Sequence, residues 1–249
     1  MIKEKLKKGI VDKRGIEYPN ILEYHFDKGE ILILGKLKAE SHADDLDEYG
    51  VGNGVFVFQD VDIPTIGYRI ERDYNSFMCN NTRSLGFIES LQKKQANVYL
   101  TEFTKGVVTL DNRVIGDIVP FYSDADTLRK YIKENGWEQY SLYFEAANIL
   151  NELIANGIYY YDLNPDNFVI TNNGLKLIDF DVDLITFDKP YSGKQERVLD
   201  NFKVMLNILS NKEFQNTYPE IKDIDSFDAL ASFLENVRNK KRWLLFFVK

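Results

Sequence analysis

The spacing of hydrophobic and polar positions changes partway along this chain. Up to about residue 122, apolar residues come in short runs rich in Val, Ile, Tyr and Phe: ILEYHF, EILILGKL, GVFVF, TIGYRI, NVYLTEF, GVVTL and RVIGDIVPF. Turn signals at Asp27–Gly29, Gly50–Gly54 and Asp111–Asn112 separate them, so the pattern predicts strands. One helical interruption, TRSLGFIESLQKKQ, spaces Leu85, Ile88 and Leu91 about a turn apart.

Beyond residue 122 the helical period takes over. DADTLRKYIKENG predicts a helix with Asp124 or Asp126 as its N-cap and an end near Gly136. EQYSLYFEAANILNELIANG places Leu142, Ala146, Ile149, Leu150 and Leu153 on one face and stops at Gly157. VLDNFKVMLNILSN and SFDALASFLENVRNKKRWLLFF predict two further helices. Between the helices, FVI and LKLI are joined by TNNG, which predicts a β-hairpin with an Asn-Gly turn. A β-rich first half with one main helix, followed by a helical second half, predicts an α+β fold of two lobes with a cleft between them, divided as 1–118 and 119–249.

Composition narrows the function classes. The formal net charge of -8 argues against broad nucleic-acid binding, which needs clustered Lys and Arg, yet leaves room for a local basic pocket holding one nucleotide. The single cysteine, Cys79, makes no intrachain disulfide and fits a reducing compartment. The basic start MIKEKLKKGIVDKRG lacks an apolar h-region, and no apolar run approaches the roughly 20 residues of a membrane helix. The tail RWLLFFVK is too short to span and is expected to cap the core. These features predict a cytoplasmic protein without a membrane span; delivery into a host cell as a secreted effector is compatible with them. His25 and His42 are the only histidines, so no zinc site is expected, and ESHADDLDEYG reads as a solvated acidic face without EF-hand spacing.

The candidate chemistry lies in YYYDLNPDNFVITNNGLKLIDFD, residues 159–181. A hairpin brings its open ends together, so Asn167, leading into the first strand, and Asp179, leaving the second, are expected to be neighbours. An amide oxygen beside a carboxylate suits a hard cation such as Mg²⁺. Asp162, on the loop just before, stands where a carboxylate can accept a proton from a hydroxyl.

This stretch resembles the protein-kinase superfamily, whose catalytic loop begins H-R-D-L and ends in Asn and whose metal motif is D-F-G. The resemblance implies a bilobal protein-kinase-like fold with a small helical C-lobe, Asp162 as catalytic base, Asn167 and Asp179 as Mg²⁺ ligands, and ATP as phosphate donor. Tyr160 and Tyr161 replace the His-Arg pair, which implies activity independent of activation-loop phosphorylation. Asn164 stands where these kinases carry a lysine that neutralises the moving phosphate. Asp181 replaces the glycine of D-F-G, as in small-molecule kinases and divergent bacterial kinases, where the second carboxylate helps with metal.

The same resemblance assigns a phosphate-holding cation to Arg69, oriented by Glu89 twenty residues on, with Arg72 as the alternative. Strand alternation places Arg69 and Arg72 on opposite faces, so one of them points into the cleft. Gly50, Gly52 and Gly54 in YGVGNGVFVF resemble a shortened glycine-rich phosphate loop; a plain hairpin turn predicts the same letters. A hinge for adenine is expected near Ile118–Phe121. Asp200 resembles the aspartate at the start of the next helix that ties down the catalytic loop; an ordinary N-cap is its other reading. With no A-P-E motif and a short C-lobe, the chain resembles minimal bacterial and effector kinases more than eukaryotic signalling kinases. The implied function is an ATP- and Mg²⁺-dependent phosphotransferase acting on protein Ser, Thr or Tyr hydroxyls. A pseudokinase serving as a nucleotide-binding regulatory module, and an aminoglycoside-kinase-like enzyme with a small-molecule hydroxyl acceptor, are the alternatives.

Overall fold

The computed structural model describes residues 10–11, 17–18, 38–40, 55–59, 65–71, 85–110, 113–122, 125–180, 185–187 and 192–247. The chain has a mixed α+β fold and divides into two compact units, one of Met1–Lys93 with Phe103–Ser123 and the other of Lys94–Glu102 with Asp124–Lys249. The division thus falls close to the change of period, and a short excursion of the chain joins the second unit.

The first unit carries a two-stranded pair, β1 (Ile10–Val11) and β2 (Glu17–Tyr18), and a five-stranded antiparallel sheet. The sheet contains β3 (Lys38–Glu40), β4 (Val55–Gln59), β5 (Ile66–Glu71), β6 (Gly106–Leu110) and β7 (Arg113–Pro120), in the order β3-β4-β5-β7-β6. The β-branched and aromatic runs GVFVF, TIGYRI, GVVTL and RVIGDIVPF supply these strands because such side chains fit a pleated, half-buried surface. Gly67 leaves the room its neighbours use: a Cβ there would meet the Phe121 ring at 2.8 Å. ILEYHF and EILILGKL lie outside the described residues.

Helix α1 (Leu85–Gln95) is the predicted interruption, with Ile88 and Leu91 buried. The expected strand NVYLTEF does not form. Its backbone donors are taken elsewhere: the Glu152 carboxylate accepts from the N–H of Tyr99 (3.1 Å) and of Leu100 (2.9 Å). Thr101 donates to Leu177 O at 2.7 Å, and Lys176 donates to Leu100 O at 3.0 Å. The segment is a loop laid onto the second unit, with the Tyr99 and Leu100 side chains exposed. An apolar run met by side-chain acceptors has no need of a strand partner.

The second unit begins with a short strand β8 (Asp126–Thr127) and helix α2 (Leu128–Asn135). The N-cap is Thr127, one residue beyond the expected Asp126, and its hydroxyl accepts from Lys130 N–H; Asp124, the other candidate, lies outside the described residues. Gly136, at φ 83°, ends the helix as expected. Helix α3 (Tyr140–Ala155) buries Ala146, Ile149, Leu150 and Leu153, and adds Tyr143 in place of the half-buried Leu142. Tyr143 is seated by a ring cluster: Phe214 lies 5.8 Å away and Tyr140 6.4 Å, edge to face, and its hydroxyl donates to Trp137 O.

Strand β9 (Ile158–Tyr160) follows α3 and pairs with β12 (Ile185–Phe187). Strands β10 (Phe168–Thr171) and β11 (Gly174–Leu177) form the hairpin, and β8 pairs with the outer edge of β10. The two central turn residues are Asn172 and Asn173, while Gly174, at φ 96°, pairs with Thr171 as the first strand residue. Helices α4 (Ser192–Leu209), α5 (Glu213–Thr217) and α6 (Phe227–Phe247) complete the unit, and α3 packs along α6. No helix among the described residues is long and apolar enough to cross a membrane.

Candidate functional site

The chain between β9 and β10 is a loop closed by one 3₁₀ turn, Pro165–Asn167. Pro165 occupies the first turn position, where its missing N–H costs nothing, and the Asn164 side chain caps the turn by accepting from Asp166 N–H at 3.2 Å. The turn swings Asn167 into a buried position at the mouth of the hairpin. There the Asn167 Nδ2 donates to Asp162 Oδ2 at 2.8 Å, to Asp162 O at 3.2 Å and to the Tyr160 hydroxyl at 3.0 Å. The amide nitrogen is saturated by these contacts, and Asn167 Oδ1 accepts no hydrogen bond from a described residue.

The hairpin register sets the other side of the site. Phe168 pairs with Leu177, and Ile178 N–H donates to Asn167 O at 2.8 Å, so Asp179 begins one residue beyond the last link to Asn167. Asp179 takes φ 64°, the left-handed region that costs an L-residue about 1–2 kcal/mol. The Tyr160 hydroxyl reaches the carbonyls of Ile178 and Asp179, each at 3.2 Å, and its ring meets Phe180 edge to face at 5.4 Å. Strained backbone positions cluster at active sites and switch regions; Asn211 (φ 49°) and Lys212 (φ 69°), in the turn after α4, share the left-handed region.

Three side chains outside the motif brace it. Asn201, on α4, donates from Nδ2 to Tyr161 O at 2.8 Å, and the Arg197 guanidinium lies 4.6 Å from the Tyr161 ring centre. Lys194 stands 5.7 Å from the ring centre of Tyr159. These three residues sit on one face of α4, which starts six residues earlier than VLDNFK implied. Asp200 is corrected on both readings: it lies well inside α4, exposed, with Lys203 at 3.6 Å. The neighbouring Asn201 makes the tie to the loop, because the helical register turns position 201 inward and 200 outward. Tyr160, Asn201 and Arg129, whose contacts are taken up below, are the site residues that sequence reasoning missed. A tyrosine in an apolar run and an asparagine inside a helix carry no local signal of such a role.

In the first unit Arg69 is buried at 5% exposure and clasps Asp117, its direct partner across β5 and β7. Nε donates to Oδ1 at 2.9 Å and Nη2 to Oδ2 at 2.8 Å, and Thr104 adds a bond to Oδ2 at 3.0 Å. Asp117 is thus an acid that holds Arg69 in this geometry, and Glu89 sits half-buried on α1. Phe121 N–H, in the expected hinge, donates to Thr65 O at 2.9 Å. Gly50, Gly52, Gly54, Arg72 and Asp181 lie outside the described residues. No cluster of three or more His, Cys, Asp or Glu side chains able to hold a metal occurs among the described residues, and the expected ligand pair of Asn167 with Asp179 is not such a cluster.

Comparisons with known proteins leave the site to be judged on its own geometry: no protein-family model matches the chain, and no curated protein matches it.

Proposed function

We propose that the chain is an ATP- and Mg²⁺-dependent phosphotransferase of protein-kinase-like bilobal fold, acting on a hydroxyl of a protein substrate. The carrying observation is the Asn167 amide. Its nitrogen fixes Asp162 Oδ2, and its oxygen is left open beside the hairpin end from which Asp179 departs. The donor set fits a hard cation, with an amide oxygen and a carboxylate as ligands. Mg²⁺ held by Asn167 and Asp179, with Asp181 following, would neutralise charge on the phosphate oxygens.

The protein's own groups then have distinct tasks. With one carboxylate oxygen of Asp162 held by Asn167, the other is free to accept the proton of the attacking hydroxyl, and the fixed carboxylate plane removes a rotational freedom that would blunt general-base action. Tyr160 holds Asp179 through its carbonyl, and Asn201 holds the Tyr161 carbonyl at the entry to the loop. Asn164 caps the turn that sets the spacing of Asp162 and Asn167.

Transfer of labelled γ-phosphate to generic protein acceptors and to itself tests the reading. Asp162→Asn is expected to lower turnover by about 10²–10⁴-fold, with Mg²⁺-ATP still raising the melting temperature. Unchanged turnover in that variant sinks the base assignment. A second reading, a nucleotide-binding regulatory module without transfer, draws support from Arg69, whose donors Nε and Nη2 are spent on Asp117. Stabilisation by Mg²⁺-ATP with no transfer by the unmodified protein decides for that reading.

A further inference from the structure

The catalytic-loop turn is gripped from outside by Arg129, the second residue of α2. Its Nε donates to Asp166 Oδ2 at 2.6 Å and its Nη2 to Asn164 Oδ1 at 2.9 Å. The same Asn164 oxygen caps Asp166 N–H, and the other Asp166 oxygen accepts from the Thr127 hydroxyl at 3.2 Å. Asn164 and Asp166 are thus joined to each other and to the first turn of α2. Between Asp162 and Asn167 the loop itself holds no cation, its residues being Leu163, Asn164, Pro165 and Asp166.

The grip is poorly placed to stabilise the fold. The Arg129 and Asp166 side chains are 46% and 43% exposed, and exposed ion pairs contribute only about 0–1 kcal/mol. Its geometry is nevertheless specific, since one planar guanidinium spans two residues that flank the proline of a single turn. The distance between Asp162 and Asn167 depends on that turn keeping its shape.

We propose that Arg129 is a positioning residue for phosphoryl transfer: by bridging Asn164 and Asp166 it locks the turn that sets Asp162 against Asn167. The proposal rests on the phosphotransferase reading for its catalytic consequence. Its structural consequence, a locked turn, is measured separately.

Arg129→Ala is expected to lower kcat by roughly tenfold to a hundredfold, since small misplacements of reacting groups carry costs of that order. The nucleotide KM should stay within about twofold and the melting temperature nearly unchanged. Arg129→Lys keeps the charge but cannot bridge both residues, so its kcat should stay nearer to Arg129→Ala than to the unmodified protein. In a cycle with Asn164→Ala, the second substitution should add little to the first. In the nucleotide-free protein, hydrogen exchange of the Asp166 and Asn167 amides should quicken in Arg129→Ala, with the rest of α2 unaffected. A kcat within twofold of the unmodified protein overturns the proposal, as does full recovery in Arg129→Lys or unaltered exchange at Asp166 and Asn167. Should the unmodified protein transfer no phosphate, the phosphotransferase reading fails, and exchange at those two amides still decides whether Arg129 locks the turn.

Discussion

Arg69 in the first unit and Asp162 in the second are both polar groups drawn out of water, but their surroundings treat them differently. Arg69 has an acid directly opposite on the next strand, and that acid is filled on both oxygens by Arg69 and Thr104. Among the described residues Asp162 is half-buried and held on one oxygen only, by an amide that itself keeps an open acceptor. The first arrangement closes on itself, and the second leaves valences to spend. Chemistry on a bound molecule needs the second kind, because a carboxylate with both oxygens engaged offers a substrate less than one with an oxygen to spare. The same contrast runs through the backbone: Arg69 lies in regular strand, while Asp179 is held at φ 64°.

The contrast breaks most sharply if one partner of the closed pair is removed. Asp117→Ala removes two hydrogen bonds and the opposite charge from the buried Arg69 guanidinium and is expected to cost about 3–5 kcal/mol, against much less for Arg69→Met combined with Asp117→Leu. Hydrogen exchange of the β5 and β7 amides reads the loss within the sheet. Asp162→Ala should leave those amides untouched while abolishing transfer. A loss under about 1 kcal/mol for Asp117→Ala shows that the pair is not closed as described.

Much of the framework was legible in the sequence, for reasons that particular residues make plain. FVI-TNNG-LKLI carried its hairpin in its letters, because alternation and turn residues act locally, and the placing of Asn167 near Asp179 followed from the hairpin alone. NVYLTEF misled because its partner is a carboxylate far along the chain, Glu152, which no local pattern announces. Asp200 misled because the helix begins at Ser192, six residues before VLDNFK, so position 200 is helix interior and faces outward while its neighbour Asn201 meets the loop. Asp117 had a readable signal, an acid inside an otherwise apolar strand opposite an equally isolated arginine, but the pairing register that joins them is tertiary information.

A smaller effect separates chemistry from backbone strain at the open site. Asp179→Ala and Asp179→Gly both delete the carboxylate and should both abolish transfer. Only glycine relieves the left-handed backbone, so the glycine variant should be the more stable of the two by about 1 kcal/mol, after allowing for its greater freedom when unfolded. Urea denaturation of the pair reads the difference with the lost carboxylate cancelled. An alanine variant as stable as the glycine variant shows that Asp179 stores no strain, and its φ then ceases to mark the site.

The smallest effect appears only at high pH and contrasts the charged closure of the first unit with the neutral closure of the second. Burial pushes the Tyr143 phenol well above the usual tyrosine range, and burial together with the Tyr218 hydroxyl does the same for Tyr140. The folded state therefore keeps these protons where the unfolded chain releases them. Their contribution is complete below the unfolded value of about 10 and is lost as pH rises beyond it, since the unfolded state then binds fewer protons. An arginine keeps its charge through this range, so the Arg69–Asp117 pair adds nothing to the alkaline weakening that these two phenols bring. Tyr143→Phe loses the hydrogen bond to Trp137 O, a deficit of about 1 kcal/mol near neutrality, but it has no phenol to ionise. Its deficit relative to the unmodified protein should therefore shrink between pH 8 and about pH 11 in urea titrations. A deficit that stays constant over that interval places the alkaline sensitivity outside the Tyr143 hydroxyl, and the neutral closure of the second unit would then owe nothing to the proton that Tyr143 retains.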